Sequence, residues 1–66
     1  SVQAVVFDAA EWTPRAAREW LARQGLVPIK RVHRTTNTLR YRIAEPIALS
    51  YTTKRLPNHI NLVLMQ

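Results

Sequence analysis

The sequence predicts an α+β domain in which one amphipathic helix packs on an antiparallel sheet of about four or five strands. Short apolar runs rich in β-branched residues recur along the chain, and one stretch has helical periodicity between capping residues. The resulting order of elements is β-α-β-β-(β)-β. With 66 residues the chain forms a single domain, residues 1–66, and buries only about 60% of the surface that its unfolded form exposes.

Four stretches have the composition of strands, and a fifth is ambiguous. Residues 2–7 are almost wholly apolar, which is typical of a central strand, and residues 60–65 form a final apolar strand. In residues 29–35 the apolar positions change parity, which indicates a bulge or an edge strand. Residues 38–44 alternate cleanly. Residues 47–55 contain ALSYTT, which could be a short strand.

Turn residues separate these strands. Residues 35–38, TTNT, predict a hairpin turn in which Asn37 is the residue best able to adopt a positive φ. Pro46 ends the strand that follows, because proline has no N–H to donate to a ladder. Residues 56–59, LPNH, predict a second turn before the final strand.

Two helix starts compete after the first strand. Asp8, with a glutamate three residues later, has the spacing of a capping box, whereas Thr13 directly precedes Pro14, the residue best suited to the first helical position. A helix from Asp8 would enclose Pro14 at a cost of about 3 kcal/mol. We therefore predict a helix over residues 13–24 that ends at Gly25, the only glycine.

The alternating strand predicts both a core and a surface. Leu39, Tyr41 and Ile43 have one parity, and Arg40 and Arg42 have the other. Because successive side chains of a strand point to opposite faces, the apolar set enters the core while the two guanidinium groups stand together on the other face.

The aromatic residues are predicted to pack rather than to stack on bases. Trp12 and Trp20 are eight residues apart and fall on the apolar stripe of the helix, so we expect both against the core. Tyr41 shares the core parity, with its hydroxyl at the rim. The exposure of Tyr51 is left open.

The positive charge lies wholly in the second part of the chain. Residues 1–25 contain three arginines and three carboxylates, which sum to zero, whereas residues 26–66 contain seven cations and one carboxylate, 7 − 1 = +6. Such an asymmetry predicts a polyanionic or acidic partner. The candidate nucleic-acid-binding residues are Lys30, Arg31, Arg34, Arg40, Arg42, Lys54 and Arg55.

Two functions remain open. The first is sequence-nonspecific contact with nucleic-acid phosphates, which arginine binds through its planar fork. The second is a protein-interaction or assembly module, either binding an acidic protein or forming a homodimer, because one face of the apolar strands has little to cover it. The parity of the arginines distinguishes them: arginines that share their face with apolar residues indicate a mixed interface, and arginines that stand alone indicate an anion surface.

Other kinds of function find little support. With one glycine there is no phosphate-binding loop or nucleophile elbow, and no spacing singles out a triad such as Ser50, His33 and Asp8. His33 and His59 lack ligand spacing, so we predict no metal, no cofactor and no enzymatic activity. The helix has acidic as well as basic residues on its polar face, which argues against membrane binding. Absence of cysteine and of a signal peptide favours an intracellular location.

A pattern of aromatic and small residues runs from the first strand through the helix. It reads F-D-x3-W-T-x3-A-x2-W-L-x3-G and comprises Phe7-Asp8, Trp12-Thr13, Ala17, Trp20-Leu21 and Gly25. With the Tyr41-Arg42 and Thr53-Lys54-Arg55 segments, it resembles a small α+β module of tailed-phage and large-virus proteins, often found beside head-maturation protease or other structural regions. The resemblance spans nearly the whole chain. It implies a non-catalytic viral or phage-derived binding module connected with particle assembly or genome handling, located in the host cytoplasm or in a virion. This chain differs in having arginine and alanine in the helix where lysines are usual.

Overall fold

Five strands and one helix make up the fold in a computed structural model that describes all 66 residues. In chain order they are β1 (Val2–Asp8), α1 (Pro14–Arg23), β2 (His33–Arg34), β3 (Thr38–Arg42), β4 (Tyr51–Leu56) and β5 (Ile60–Met65). The strands form one sheet in the order β2-β3-β1-β5-β4, and every neighbouring pair is antiparallel. The predicted fold class is confirmed, and the ambiguous stretch contains a strand at one edge.

The core lies between α1 and one face of the sheet. β1 is the central strand: Val5 lies opposite Tyr41, and Phe7 lies between Leu39 on β3 and Ile60 on β5. All five of these side chains are buried. The helix completes the cluster with Ala17 and Leu21, its two buried residues. The predicted core positions Leu39 and Tyr41 are confirmed, whereas Ile43 lies beyond the end of β3 and is half-buried against the cluster.

The helix has the predicted ends. The hydroxyl of Thr13 accepts a hydrogen bond from the backbone N–H of Ala16 at 3.1 Å, so Thr13 is the N-cap and Pro14 the first helical residue. At the other end Gly25 has φ +72°, and Leu26 N–H donates to Leu21 O at 2.9 Å, as in a Schellman motif. Asp8, the competing start, forms a turn instead: its carboxylate accepts a hydrogen bond from Ala10 N–H at 2.9 Å.

Aromatic rings surround Phe7 and tie the helix to the sheet. Its ring centroid is 5.0 Å from that of Trp12, 5.7 Å from that of Trp20 and 5.7 Å from that of Tyr41. The Tyr41 hydroxyl donates to Pro14 O at 3.3 Å, which places it at the rim as predicted. Both tryptophans are half-buried against the core, so their predicted packing role is confirmed.

Two predicted strands are too long. β3 ends at Arg42, not at residue 44, so it ends before Pro46 is reached. β2 contains two residues, not seven, because the segment before it meets β3 through a single backbone bond, from Ile29 N–H to Arg42 O at 2.9 Å; its predicted place at an edge is correct. Asn37 does not have a positive φ. The turn at residues 35–38 forms without any positive φ angle. The Thr35 hydroxyl stabilises this turn by accepting a hydrogen bond from Thr38 N–H at 3.0 Å.

The turn between β4 and β5 has the positive φ angles instead. Asn58 and His59 have φ of 67° and 63°. The last paired residues of the two strands are Leu56 and Ile60, so Asn58 and His59 complete a three-residue turn that begins at Pro57. The other irregularity is a bulge in β1, between Val2 and Ala4, where the side chain of Gln3 is buried and donates to Ala44 O at 3.0 Å.

Candidate functional site

The sheet has a second face, on the side away from α1, which we call the open face. Strand alternation and the pairing registers assign to it the side chains opposite in parity to Val5 and Phe7. From β2 to β4 they are His33, Thr38, Arg40, Arg42, Ala4, Val6, Asp8, Asn61, Val63, Met65, Tyr51, Thr53 and Arg55. No strand or helix of the chain lies over this face.

Three of the seven predicted cations share the open face. Arg40 lies opposite Val6 and Arg42 opposite Ala4, while Arg55 reaches the same face from β4, where it lies opposite Asn61. Strands are spaced at about 4.8 Å, so Arg40 and Arg55 stand about 14 Å apart across three spacings.

The other four predicted cations have different positions. Arg34 lies opposite Leu39 and Lys54 opposite Leu62, so both have the parity of the helix-bearing side and stand at opposite edges of the sheet. Lys30 and Arg31 are exposed in the segment before β2. The bond between Ile29 and Arg42 holds that segment next to the end of β3, so these two cations lie beside that end of the sheet.

Apolar side chains separate the arginines of β3 from β4, but none of them is fully exposed. Ala4 is fully buried between its cross-strand partners Arg42 and Val63. Val6 and Val63 are half-buried. The exposed members of the face are His33, Arg40, Tyr51, Thr53 and Arg55. The face is therefore mixed in composition, with a cationic and polar exposed layer.

The chain's carboxylates leave two of the open-face arginines free. Arg42 Nη1 lies 3.9 Å from Glu45 Oε2, an exposed contact of little energetic weight. Arg40 and Arg55 have no carboxylate within 4.0 Å. The acid on this face is Asp8, which lies opposite Thr38 at the same end of the sheet as Arg55 and forms no ion pair with either free arginine. Free guanidinium groups are the ones best able to bind an external anion.

Two depressions occupy the open face. One, of about 370 Å³, is lined by Gln3, Arg40, Pro46, Tyr51, Thr53 and Val63. The other, of about 570 Å³, lies at the end of the sheet that holds Asp8, Arg55 and His59. Tyr51, which is 42% exposed, and Thr53 were not predicted as site residues. Their parity could be assigned only after the extent and register of β4 were known.

The residue types of catalysis are not brought together. Asp8 is the last residue of β1, and its backbone N–H donates a hydrogen bond to His59 O in the turn before β5. Ser50 lies at the opposite end of the sheet, where its carbonyl oxygen accepts a hydrogen bond from Gln66 N–H. His59 stands 3.9 Å from Asp8 and 4.0 Å from Glu11, an exposed cluster without a nucleophile. No three His, Cys, Asp or Glu side chains form an arrangement that could hold a metal ion. The one helix lacks the length and hydropathy of a membrane crossing.

Comparison of the chain with protein-family models, with curated proteins and with solved structures returned no match.

Proposed function

We propose that this chain is a non-enzymatic basic binding module, of viral or phage type, that contacts nucleic-acid phosphates through the open face. The observation that supports this function is the presence of three arginines, Arg40, Arg42 and Arg55, on one uncovered sheet face. Lys30 and Arg31 are exposed in the segment that lies beside the end of β3. The net charge of +6 would favour association with any polyanion.

The chemistry of the face suits phosphates better than base edges. A guanidinium group binds phosphate oxygens through two parallel hydrogen bonds. A flat sheet, by contrast, presents no helix to the major groove, and Tyr51 is the only exposed aromatic on the face. Binding is therefore expected to be independent of sequence, with Tyr51 available to stack on an unpaired base.

Titration of binding against salt tests this function. Three phosphate contacts on duplex DNA give a slope of log affinity against log salt of about −2.7, or about −2.1 on a single strand. Fluorescence anisotropy with a labelled duplex and a labelled single strand, from about 50 to 200 mM salt, measures both slopes. Raising the salt fourfold should weaken duplex binding about 40-fold. Affinity independent of salt, or no binding at the lowest salt, would contradict the proposal.

A protein-interaction or assembly module is the second candidate, and two observations favour it. The arginines share their face with apolar residues, which is the parity predicted for a mixed interface. In addition, exposed apolar side chains project from two loops at the same end of the sheet; they are Val27, Ile29, Ile47 and Leu49. An acidic protein or a second copy of the chain would suit such surfaces.

A further inference from the structure

β4 is a long and uncovered edge of the sheet. It pairs with β5 on one side only, and five of its six residues are exposed. The strand contains neither proline nor a bulge. β2, at the other edge, is only two residues long. Natural proteins protect an edge by shortening, bulging, covering or charging it, and β4 has only the last of these protections, in Lys54 and Arg55.

The backbone groups that β4 leaves free can be identified from the ladder. Gln66 N–H donates to Ser50 O, so residues 50 and 66 form a hydrogen-bonded pair. Bonded and non-bonded pairs alternate along an antiparallel ladder, so residues 52, 54 and 56 bond to β5. The N–H and C=O groups of Tyr51, Thr53 and Arg55 therefore point away from the sheet.

We propose that β4 pairs with β4 of a second copy of the chain, antiparallel and centred on Thr53. Thr53 then lies opposite its own counterpart, and Tyr51 lies opposite Arg55 of the second copy. These are the residues whose backbone groups are free, so three pairs form, each exchanging two hydrogen bonds. On the other side of the sheet, Thr52 lies opposite Lys54 of the second copy.

The charged side chains of β4 favour the register centred on Thr53 over registers shifted by two residues. A shift of two residues in one direction puts Lys54 opposite Lys54, which is destabilising for like charges directly across a strand pair. A shift in the other direction shortens the overlap. In the centred register each cation faces a threonine or a tyrosine, and Arg55 can lie over the ring of Tyr51.

Pairing of this kind joins two five-stranded sheets into one. The twofold axis is perpendicular to the sheet, so both open faces lie on the same side and both helices on the other. The inference deepens the assembly function, on which it rests, by naming the partner as a second copy. It does not require nucleic-acid binding.

Sedimentation velocity tests the pairing, over roughly 10 μM to 1 mM protein, which covers the dissociation constants expected of a small interface. The wild-type chain should shift from monomer to dimer across this range. Thr53→Pro removes an outward N–H without removing a bond to β5, so it should stay monomeric. Thr53→Val keeps that N–H and should dimerise like the wild type. A wild-type chain that remains a monomer, or a dimer that persists in Thr53→Pro, would overturn the proposal.

A charge pair at Thr52 tests the register and does not depend on proline being tolerated. Thr52→Glu places a carboxylate opposite Lys54 of the second copy, and this pair occurs twice per dimer. It should therefore tighten dimerisation roughly 2- to 30-fold, whereas Thr52→Lys places like charges opposite each other and should weaken dimerisation. Ala22→Glu and Ala22→Lys, on the exposed surface of α1, change the net charge equally and should have much smaller effects. Equal effects at the two sites would refute this register. Dimerisation unchanged in an Arg40→Gln/Arg42→Gln variant that has lost DNA affinity would separate assembly from phosphate binding.

Discussion

Replacing Arg40 and Arg34 by glutamine, one at a time, separates binding by the open face from attraction by net charge. Each substitution lowers the net charge by one unit, and both residues are exposed. Arg40 stands on the open face, whereas Arg34, opposite Leu39, has the parity of the helix-bearing side. The two variants therefore differ in the position of the lost charge and not in its size.

The expected size follows from the counterions that each phosphate contact releases. Three open-face arginines give a duplex slope of about −2.7, and loss of Arg40 leaves about −1.8. At 0.1 M salt the same term weakens binding about eightfold, or about 1.2 kcal/mol. Arg34→Gln should leave the slope near −2.7. Anisotropy titrations at three or more salt concentrations measure the difference, and thermal melts show whether each variant is folded.

Adjacent residues on β4 repeat the comparison. Arg55 faces the open side and Lys54 the helix side, so Arg55→Gln should lower the slope by about 0.9 and Lys54→Gln should not. If Arg34→Gln or Lys54→Gln reduced the slope as much as its partner, the charge would act through the field of the whole molecule, and the open face would not be the contact surface.

Four further substitutions test the fold, each by chemical denaturation or thermal melting. Phe7→Ala should cost about 3–5 kcal/mol, a large part of the roughly 3–10 kcal/mol expected for 66 residues, because Phe7 is fully buried and contacts three aromatic rings. Thr13→Ala should cost about 1 kcal/mol through loss of the N-cap, which Thr13→Ser should retain. Gly25→Ala should cost about 1 kcal/mol through its positive φ alone, since a Cβ there would meet no atom within 4 Å. His59→Gly should stabilise by about 0.5–1 kcal/mol, because glycine adopts the positive φ of that turn without strain; a destabilised variant would show that the contacts of His59 outweigh the strain.

The helix and the central strand could be predicted because their signals are local. Thr13, Pro14 and Gly25 specify the helix ends within one turn of chain, and the apolar run of β1 has no competing interpretation. The alternation of Leu39, Tyr41 and the two arginines likewise depends only on the two-residue period of a strand. These predictions required no information about tertiary contacts.

The candidate site was harder to predict from the sequence because it depends on the pairing register of β2 with β3 and of β4 with β5. Arg34 and Arg40 are both cations on a predicted hairpin, and only the pairing of His33 with Arg40 puts Arg34 on the other side. For Lys54 and Arg55 the same decision required the extent of β4, which the sequence left ambiguous. The positive φ of His59 was also not predicted from the sequence, since histidine is not a usual residue for that conformation.

The two-residue alternation of side chains along β3 determines both which residues enter the core and which residues form the candidate surface. A slip of one residue in β3 would expose Leu39 and Tyr41 and put Arg40 and Arg42 under the helix, which would bury two unpaired charges. The register that buries Tyr41 against Phe7 is therefore the register that holds the guanidinium groups on the open face. Because the core fixes the backbone positions of these arginines, little backbone ordering would remain to oppose the proposed phosphate binding. A core substitution that leaves the chain folded, such as Phe7→Leu, should thus lower stability while leaving the salt slope at its wild-type value.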